Sequence, residues 1–430
     1  MAAVKLQETP DHIIRDIALA EAGRRNVSFS VKEMPVLTEI KRRFGKERPL
    51  EGLRIGMSLH ITTETAYLVD TLTAGGAKVA ICSCNPLSSM DDCIAYLASE
   101  GVNVFGYRGE SVEDYYRFIG KVIETGPDIT VDDGCDLIKT LHEKRPELAA
   151  RVIGGTEETT TGVHRLKAMH AEGALKYPVI AVNDSFTKHM FDNYYGTGQS
   201  AIDGVVRASN VLFAGKTVVV AGYGDCGKGV ALRARGLGAK VVVTEVDPRR
   251  ALQAAMDGHR VMPMEEAAGA GDIFITTTGN RDIIPFSAIQ RMKDGAILAN
   301  AGHFNNEIDV AALEKEAEEK EETRPLFMRY RVKGEDGNMR DVYLCGEGRL
   351  VNLACAEGHP SSVLDLSFSG QALAIEHIAK NRGKLRPGVM LLPDDIDLGI
   401  ARMKLGSMGM RIDQLTDKQR KYMAGWKEGT

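Results

Sequence analysis

The stretch TVVVAGYGDCGKGVALRARGLGAKVVVTE, residues 217–245, decides how the chain folds. A β-branched run leads into Gly222-x-Gly224-x-x-Gly227, a helix-length segment follows, and a second β-branched run ends at Glu245. That order spells strand, glycine turn, helix and strand, the unit that wraps a dinucleotide. Gly222 permits the tight turn, Gly224 lets the backbone approach a pyrophosphate, and Gly227 allows the helix to lie close on the sheet. The helix starts at Asp225-Cys226, where unpaired N–H groups and the helix dipole favour phosphate. Glu245 suits the two hydroxyls of an adenosine ribose and repels a 2′-phosphate, so NAD is expected and NADP is not. Arg249 and Arg250 argue slightly the other way, but charges at an exposed helix start account for them.

Outward from this unit, short β-branched runs alternate with helical stretches along the whole chain. The pattern predicts an α/β protein with mostly parallel sheets. Strands are expected at 53–58, 78–82, 102–106, 128–132, 151–154 and 178–182, then at 217–221, 240–244, 260–263, 272–276, 296–299 and 349–352. Residues 327–345 read as a hairpin turning at a Gly/Asp/Asn cluster. Two doubly wound, Rossmann-like domains follow from this. Residues 1–195 with 353–395 are expected to bind substrate and carry catalysis, 196–352 to bind NAD, and 396–430 to serve oligomerisation.

Composition narrows the function. At 430 residues the chain is too long for one ordinary core. Its 43% hydrophobic and 26% charged residues are those of a soluble globular protein. A net charge of −5 gives no reason to expect a nucleic-acid or anionic-membrane partner. No apolar run approaches the ~20 residues that span a bilayer, and the charged amino terminus has no signal-peptide core. The seven cysteines form no paired CxxC or Cys/His cluster, so no metal site or disulfide framework is expected. A cytoplasmic enzyme acting on a small molecule is the expectation.

In parallel sheets, ligands bind beyond the carboxyl ends of the strands. His60, Asn85, Asp133, Glu158 and Asn183 all follow expected strands, which places them around one cleft. The surrounding stretches are distinctive: SCNPLSSMDD (83–92), DDGCD (132–136), EETTTGVHRL (157–166), VNDSFTKHMFDNYYGTGQS (182–200), NAGHFNNEID (300–309) and GRLVNLACAEGHPSSV (348–363). Together with the glycine turn they resemble the S-adenosylhomocysteine hydrolase family across essentially the whole chain. The resemblance implies a thioether hydrolase in which NAD is reduced and reoxidised within each turnover. A thioether resists direct hydrolysis. Oxidising the ribose 3′-hydroxyl acidifies C4′–H, the 5′-thiolate is then eliminated, water adds, and the stored hydride restores the alcohol.

The resemblance also implies roles for individual residues. Lys188, as neutral base, and Asp192 stand at the 3′-hydroxyl; Asn193 supports Lys188, and Glu158 holds ribose hydroxyls. Asp133 is the base at C4′, His60 serves the 5′ position, and Asp136 orients from behind. His303 and His359 face the substrate across the cleft, with His303 and Phe304 gating the homocysteine channel. Thr159, Thr160, Thr161, Asn193, Ala301, Gly302, His303 and Asn352 match contacts near the nicotinamide. A homotetramer is also implied.

Several positions depart from the family pattern. The chain stops at KQRKYMAGWKEGT, without the Lys/Tyr tail that reaches a neighbour's cofactor in many members. Cys135 replaces a glycine, Met90 a glutamine, Thr197 a cysteine, and Glu357 a methionine near the purine edge. Thr62 and Glu64 stand where adenosyl enzymes meet adenine, whereas inosyl-type relatives carry lysine at the Glu64 position. The adenosyl substrate is therefore expected, with S-inosylhomocysteine as the alternative that Glu357 keeps open. A hydroxy-acid dehydrogenase is disfavoured by the Lys188–Asp192–Asn193 block, and a silent regulatory relative by the intact motifs.

Overall fold

The computed structural model describes residues 6–429. The first half contributes β1 (Gln7–Glu8), β2 (His12–Ile14), β3 (Arg54–Ser58), β4 (Lys78–Cys82) and β5 (Asn103–Phe105). They are followed by β6 (Ile129–Asp132), β7 (Gly154–Glu157) and β8 (Pro178–Ala181). A second series holds β9 (Thr217–Ala221), β10 (Lys240–Thr244), β11 (Arg260–Val261), β12 (Ile273–Thr276) and β13 (Ala296–Asn300). It closes with β14 (Glu319–Arg324), β15 (Phe327–Lys333) and β16 (Met339–Cys345). β17 (Gly388–Leu391) comes back late in the chain to pair with β8.

The first sheet is ordered β1-β2-β5-β4-β3-β6-β7-β8-β17 and the second β11-β10-β9-β12-β13-β16-β15-β14. Pairing is parallel except at one edge of each, where β1 meets β2 and where β14, β15 and β16 form an antiparallel meander. Both sheets are doubly wound, as expected. Strand order reverses between β3 and β6 in one sheet and between β9 and β12 in the other. These are the switch points at which α/β sheets open a crevice. The strands beside them are apolar and buried on both faces, as in IFIT of β12, because helices cover each side.

Two local expectations fail, and four strands go unread, for identifiable reasons. The strand expected at 151–154 lies at β7, three residues on, because two glycines mask it. A Cβ on Gly154 would meet Ile378 and one on Gly155 would meet Thr130, so only glycine fits between the sheet and the helix Ser361–Lys380. Residues 349–352 are not a strand: Leu350 makes one bridge to Asn300, and Val351–Ala354 turn into a short helix. β14, EKEETR, is fully exposed at the sheet edge and has no hydrophobic pattern to read. The short β1, β2 and β17 are equally weak as local signals.

Two elements set up the cleft. The helix Ser361–Lys380 buries Leu366, Phe368, Ala372, Ile375 and Ile378 in the first core and carries Gln371 toward the strand ends. Residues His189–Gly196 wind as a π-helix, a widened turn common at functional sites. The turn before it is anchored by Asp397, which accepts from the amides of Phe186 and Thr187 at 2.9 and 3.1 Å.

Candidate active site

One cavity of about 980 Å³ lies between the carboxyl ends of the two sheets and takes its walls from both. From the first come His60, Thr62, Asp133, Glu158, Thr159, Thr160 and Thr161, followed by Lys188, Asp192 and Asn193. From the second come Gly222, Gly224, Asp225, Cys226, Glu245, Ala301, Gly302 and His303, with Asn352 and His359 beyond them.

Lys188 is the centre of the first group. Only 4% exposed, its Nζ lies 3.1 Å from Asp192 Oδ1 and 3.8 Å from Glu158 Oε1. It also donates to Asn183 Oδ1 at 3.1 Å and Asn193 Oδ1 at 3.0 Å. Burial alone would push the ammonium toward neutrality. Asp192, Glu158 and Asp133 outweigh it and raise the pKa above the usual lysine range. The expected neutral form is not favoured by these surroundings: Asp192, one turn along the same segment, and the carboxyls after β7 and β6 raise the lysine. Burial tends to raise Asp192, but Lys188 and His359 bring it below the usual carboxylate range. Burial pushes Glu158 up to about 8, with Lys188 pulling the other way. Gln371 Nε2 donates to its second oxygen.

Asp133 sits at the first switch point with a histidine on each oxygen. His60 Nε2 is 3.4 Å from Oδ2 and His303 Nδ1 is 3.5 Å from Oδ1. His60 comes from the same sheet and His303 from the other, so the cleft is closed here. Gly134 makes that closure possible: at φ +102°, a Cβ would lie 2.3 Å from His303 Nε2. Burial pushes His60 down to about 4, so its ring is neutral at pH 7. Its Nδ1 faces Ser88 Oγ at 2.7 Å and Cys84 Sγ at 3.1 Å. Behind Asp133, Glu157 accepts from the amides of Gly134 and Thr159 at 2.8 and 3.1 Å, which ties two strand-end loops together. Asp136 touches Tyr115 and Arg165 and no residue of the cavity wall. Cys135 occupies a left-handed conformation, φ +67°, which explains why a glycine is the commoner choice there.

The remaining residues fall into place around this centre. His359 Nε2 lies 3.3 Å from Asp192, with Thr197 and Ser200 also in contact. Thr197 brings no thiol, but Cys226 Sγ is 3.6 Å from its hydroxyl. Thr160 donates to Asn183 at 3.3 Å. Glu64 is buried behind Thr62, which donates to it at 2.8 Å, and also receives bonds from Ser361 and Ser30. Glu357 is corrected: its side chain is 70% exposed, pairs with Arg207 at 2.9 Å and does not reach the cavity. The loop carrying it bends outward, so a position near the purine in sequence is a surface position in space. Asn183, expected at the cleft, and Ser361, within the 348–363 stretch, both contribute to the site, and so does Gln371, which no motif marked. The one available signal for Gln371 was its place among the buried residues of the helix, between Gly370 and Ala372.

The second sheet fits NAD. Gly222 has φ +97°, a Cβ on Gly227 would lie 2.0 Å from Gly222 O, and one on Gly224 would point only toward Arg250. The helix Asp225–Gly236 starts at this turn with its amides uncapped by any side chain. Glu245 ends the next strand on the cavity wall and accepts from Tyr223 N at 2.7 Å. At the far end, Asn352 Oδ1 is buried without a partner, an acceptor set for an amide donor. Asn300 Nδ2 holds the 301–304 loop through the carbonyls of Gly302 and Phe304.

A dinucleotide cradle opening directly onto a buried lysine–carboxylate cluster defines an NAD-dependent enzyme acting on a small molecule. Residues 11–147 match the family described as S-adenosyl-L-homocysteine hydrolase, and residues 193–358 match its NAD binding domain. Methanocaldococcus jannaschii S-inosyl-L-homocysteine hydrolase is 57% identical over 97% of this chain and 99% of its own. Adenosylhomocysteinase of Aquifex aeolicus is 56% identical over 97% and 99%, and that of Archaeoglobus fulgidus 57% identical over 95% and 100%. The chain belongs to the S-adenosyl-L-homocysteine hydrolase family of NAD-dependent hydrolases.

Proposed function

We propose that the protein interconverts S-adenosyl-L-homocysteine with adenosine and L-homocysteine by 3′-oxidation, elimination, water addition and re-reduction at one site. The observation that carries this reading is the shared cavity, in which the Lys188 cluster faces the glycine cradle. In this reading residues 1–195 and 353–395 bind the substrate. Residues 196–352 hold NAD through Gly222, Gly224, Asp225, Cys226, Gly227 and Glu245. Thr159, Thr160, Thr161, Asn193, Ala301, Gly302, His303 and Asn352 line its reactive end. When bound, NAD supplies a reversible hydride acceptor beside a carbon bearing a hydroxyl.

Glu158, oriented by Gln371, holds the ribose hydroxyls. Lys188 and Asp192 meet the 3′-hydroxyl. Because Lys188 is held as an ammonium, it must release a proton into its carboxylate cluster before it takes the one from that hydroxyl. Glu158, titrating at about 8, accepts that proton only in its ionised fraction, which grows as pH rises toward 8. Asp133 removes the C4′ proton that the neighbouring ketone has acidified. His60, a neutral imidazole 3.4 Å from Asp133, relays the proton that Asp133 has taken from C4′ to the departing thiolate, and aligns the incoming water. The His303–Asp133 contact between the sheets keeps bulk water from the ketone.

Thr62, which lines the cavity, gives its proton to Glu64 behind it and so meets the purine as an acceptor, which favours a 6-amino over a 6-oxo group. The second reading, S-inosylhomocysteine, is favoured by the names of relatives of equal identity. Thiol release from the two thioethers, assayed separately with product nucleosides identified, decides between them. Preference for the adenosyl compound is expected; preference for the inosyl compound would overturn the role of Glu64 and leave the mechanism standing. A homotetramer is part of the same reading. It is supported by residues 408–429, which lie exposed and carry Met408, Met410, Ile412, Leu415, Tyr422, Met423 and Trp426.

A further inference from the structure

One cation beside the 5′ end of the cleft has no role in the chemistry above. Arg165 stands on the helix Thr160–Ala171, just past the threonines that line the cavity. One terminal nitrogen donates to the carbonyl of Gly134, the residue after Asp133, and to Asp136 Oδ1 at 2.9 Å. Its guanidinium carbon lies 5.6 Å from the ring centre of Phe304, which comes from the other sheet and stacks edge-on against His303. The side chain is 29% exposed, and among the described residues its Nε and second terminal nitrogen have no acceptor. Three contacts thus fix the head while the Nε edge stays open. That edge is one of the two from which a guanidinium binds a carboxylate with parallel hydrogen bonds.

The neighbours of this corner, Asp133 and His303, line the cavity, and His60, which contacts Asp133, lines it too. We propose that Arg165 is a specificity-determining residue that receives the α-carboxylate of the amino-acid half of the thioether, with Phe304 covering the guanidinium face. The inference rests on the proposed function for the identity of that tail. A lysine would not serve equally well, because a point charge cannot keep the Gly134 and Asp136 bonds while presenting a second planar edge. Phe304 belongs to the opposite sheet, so the same contact makes carboxylate capture depend on the two sheets being closed on one another.

The test uses the NAD-loaded enzyme in the direction of thioether synthesis, with adenosine and either homocysteine or the aminopropanethiol that lacks its carboxylate. The readout is the ratio of kcat/KM for the two thiols. In the native enzyme homocysteine is preferred. In Arg165→Gln the preference falls about tenfold to a hundredfold, the loss expected for a charged hydrogen bond. Arg165→Lys recovers part of it. A purely structural role at Gly134 lowers both thiols together and leaves the ratio where it was, which overturns the assignment. A native enzyme that condenses adenosine with neither thiol overturns the proposed function itself, so the two failures are distinguishable.

Discussion

Lys188 shows how much chemistry depends on which side chains meet in space. A lysine with 4% exposure and no counter-charge would lose its proton; with ionised Asp192 at 3.1 Å it keeps it. Replacing it with alanine leaves two carboxylates facing each other in a buried wall, a change of about 3–5 kcal/mol for a broken buried pair. Lys188→Ala is expected to retain NAD while reduction of bound NAD by adenosine drops about a hundredfold or more. Absorbance of the bound cofactor checks this, and undiminished reduction would remove Lys188 from the 3′ chemistry. Glu158 carries a pH signature. Its folded pKa of about 8 lies above the unfolded carboxylate value, so its contribution to stability is complete below roughly pH 4.5. That contribution is lost as pH rises toward 8. Glu158→Gln removes it, so the stability difference between native protein and variant shifts steadily from about pH 4.5 to 8 in denaturant titrations. A difference independent of pH would show that Glu158 is ionised in the native state. The sequence marked both residues by their motif neighbours, but the charge on Lys188 was not legible, because only Asp192 is local and Glu158 and Asp133 reach it from the ends of two other strands.

Among elements, the strand–glycine turn–helix unit at 217–245 reads directly, since its residue order and its geometry are the same information. Edge strands do not: β14 is all charge, and β7 hides behind glycines needed for helix packing. The π-helix over His189–Gly196 has no sequence signal either, although it supplies Asp192 and Asn193. Glu357 is the opposite case, a residue assigned by neighbourhood in sequence whose loop turns it to solvent. The turn after β6 is where local backbone and catalysis meet most tightly. Gly134→Ala places a Cβ against the His303 ring and adds a left-handed strain of about 1–2 kcal/mol. The variant is expected to melt lower and to turn over more slowly, with His303 displaced from Asp133. Native melting and turnover in it would contradict the role given to that contact.

At the scale of the whole molecule, two doubly wound sheets present their switch points to each other, and the cavity between them holds cofactor and substrate residues together. The alternation of strands and helices made this legible, and the family resemblance pointed to His303 and Phe304; Arg165 was not legible, since it meets them only through the fold. In the proposed homotetramer a partner subunit covers the exposed apolar residues of 408–429. Truncation after Ser407 is expected to yield a smaller assembly by light scattering while keeping far-UV helicity close to native; an unaltered mass would exclude this segment from the interface. The most direct test of the central claim is the absorbance of enzyme-bound nicotinamide during turnover of S-adenosyl-L-homocysteine. Reduced cofactor is expected to rise to no more than one equivalent per subunit and then hold or decay while thiol continues to accumulate. Thiol release with no reduced cofactor at any time, or reduced cofactor growing in step with product, would contradict it.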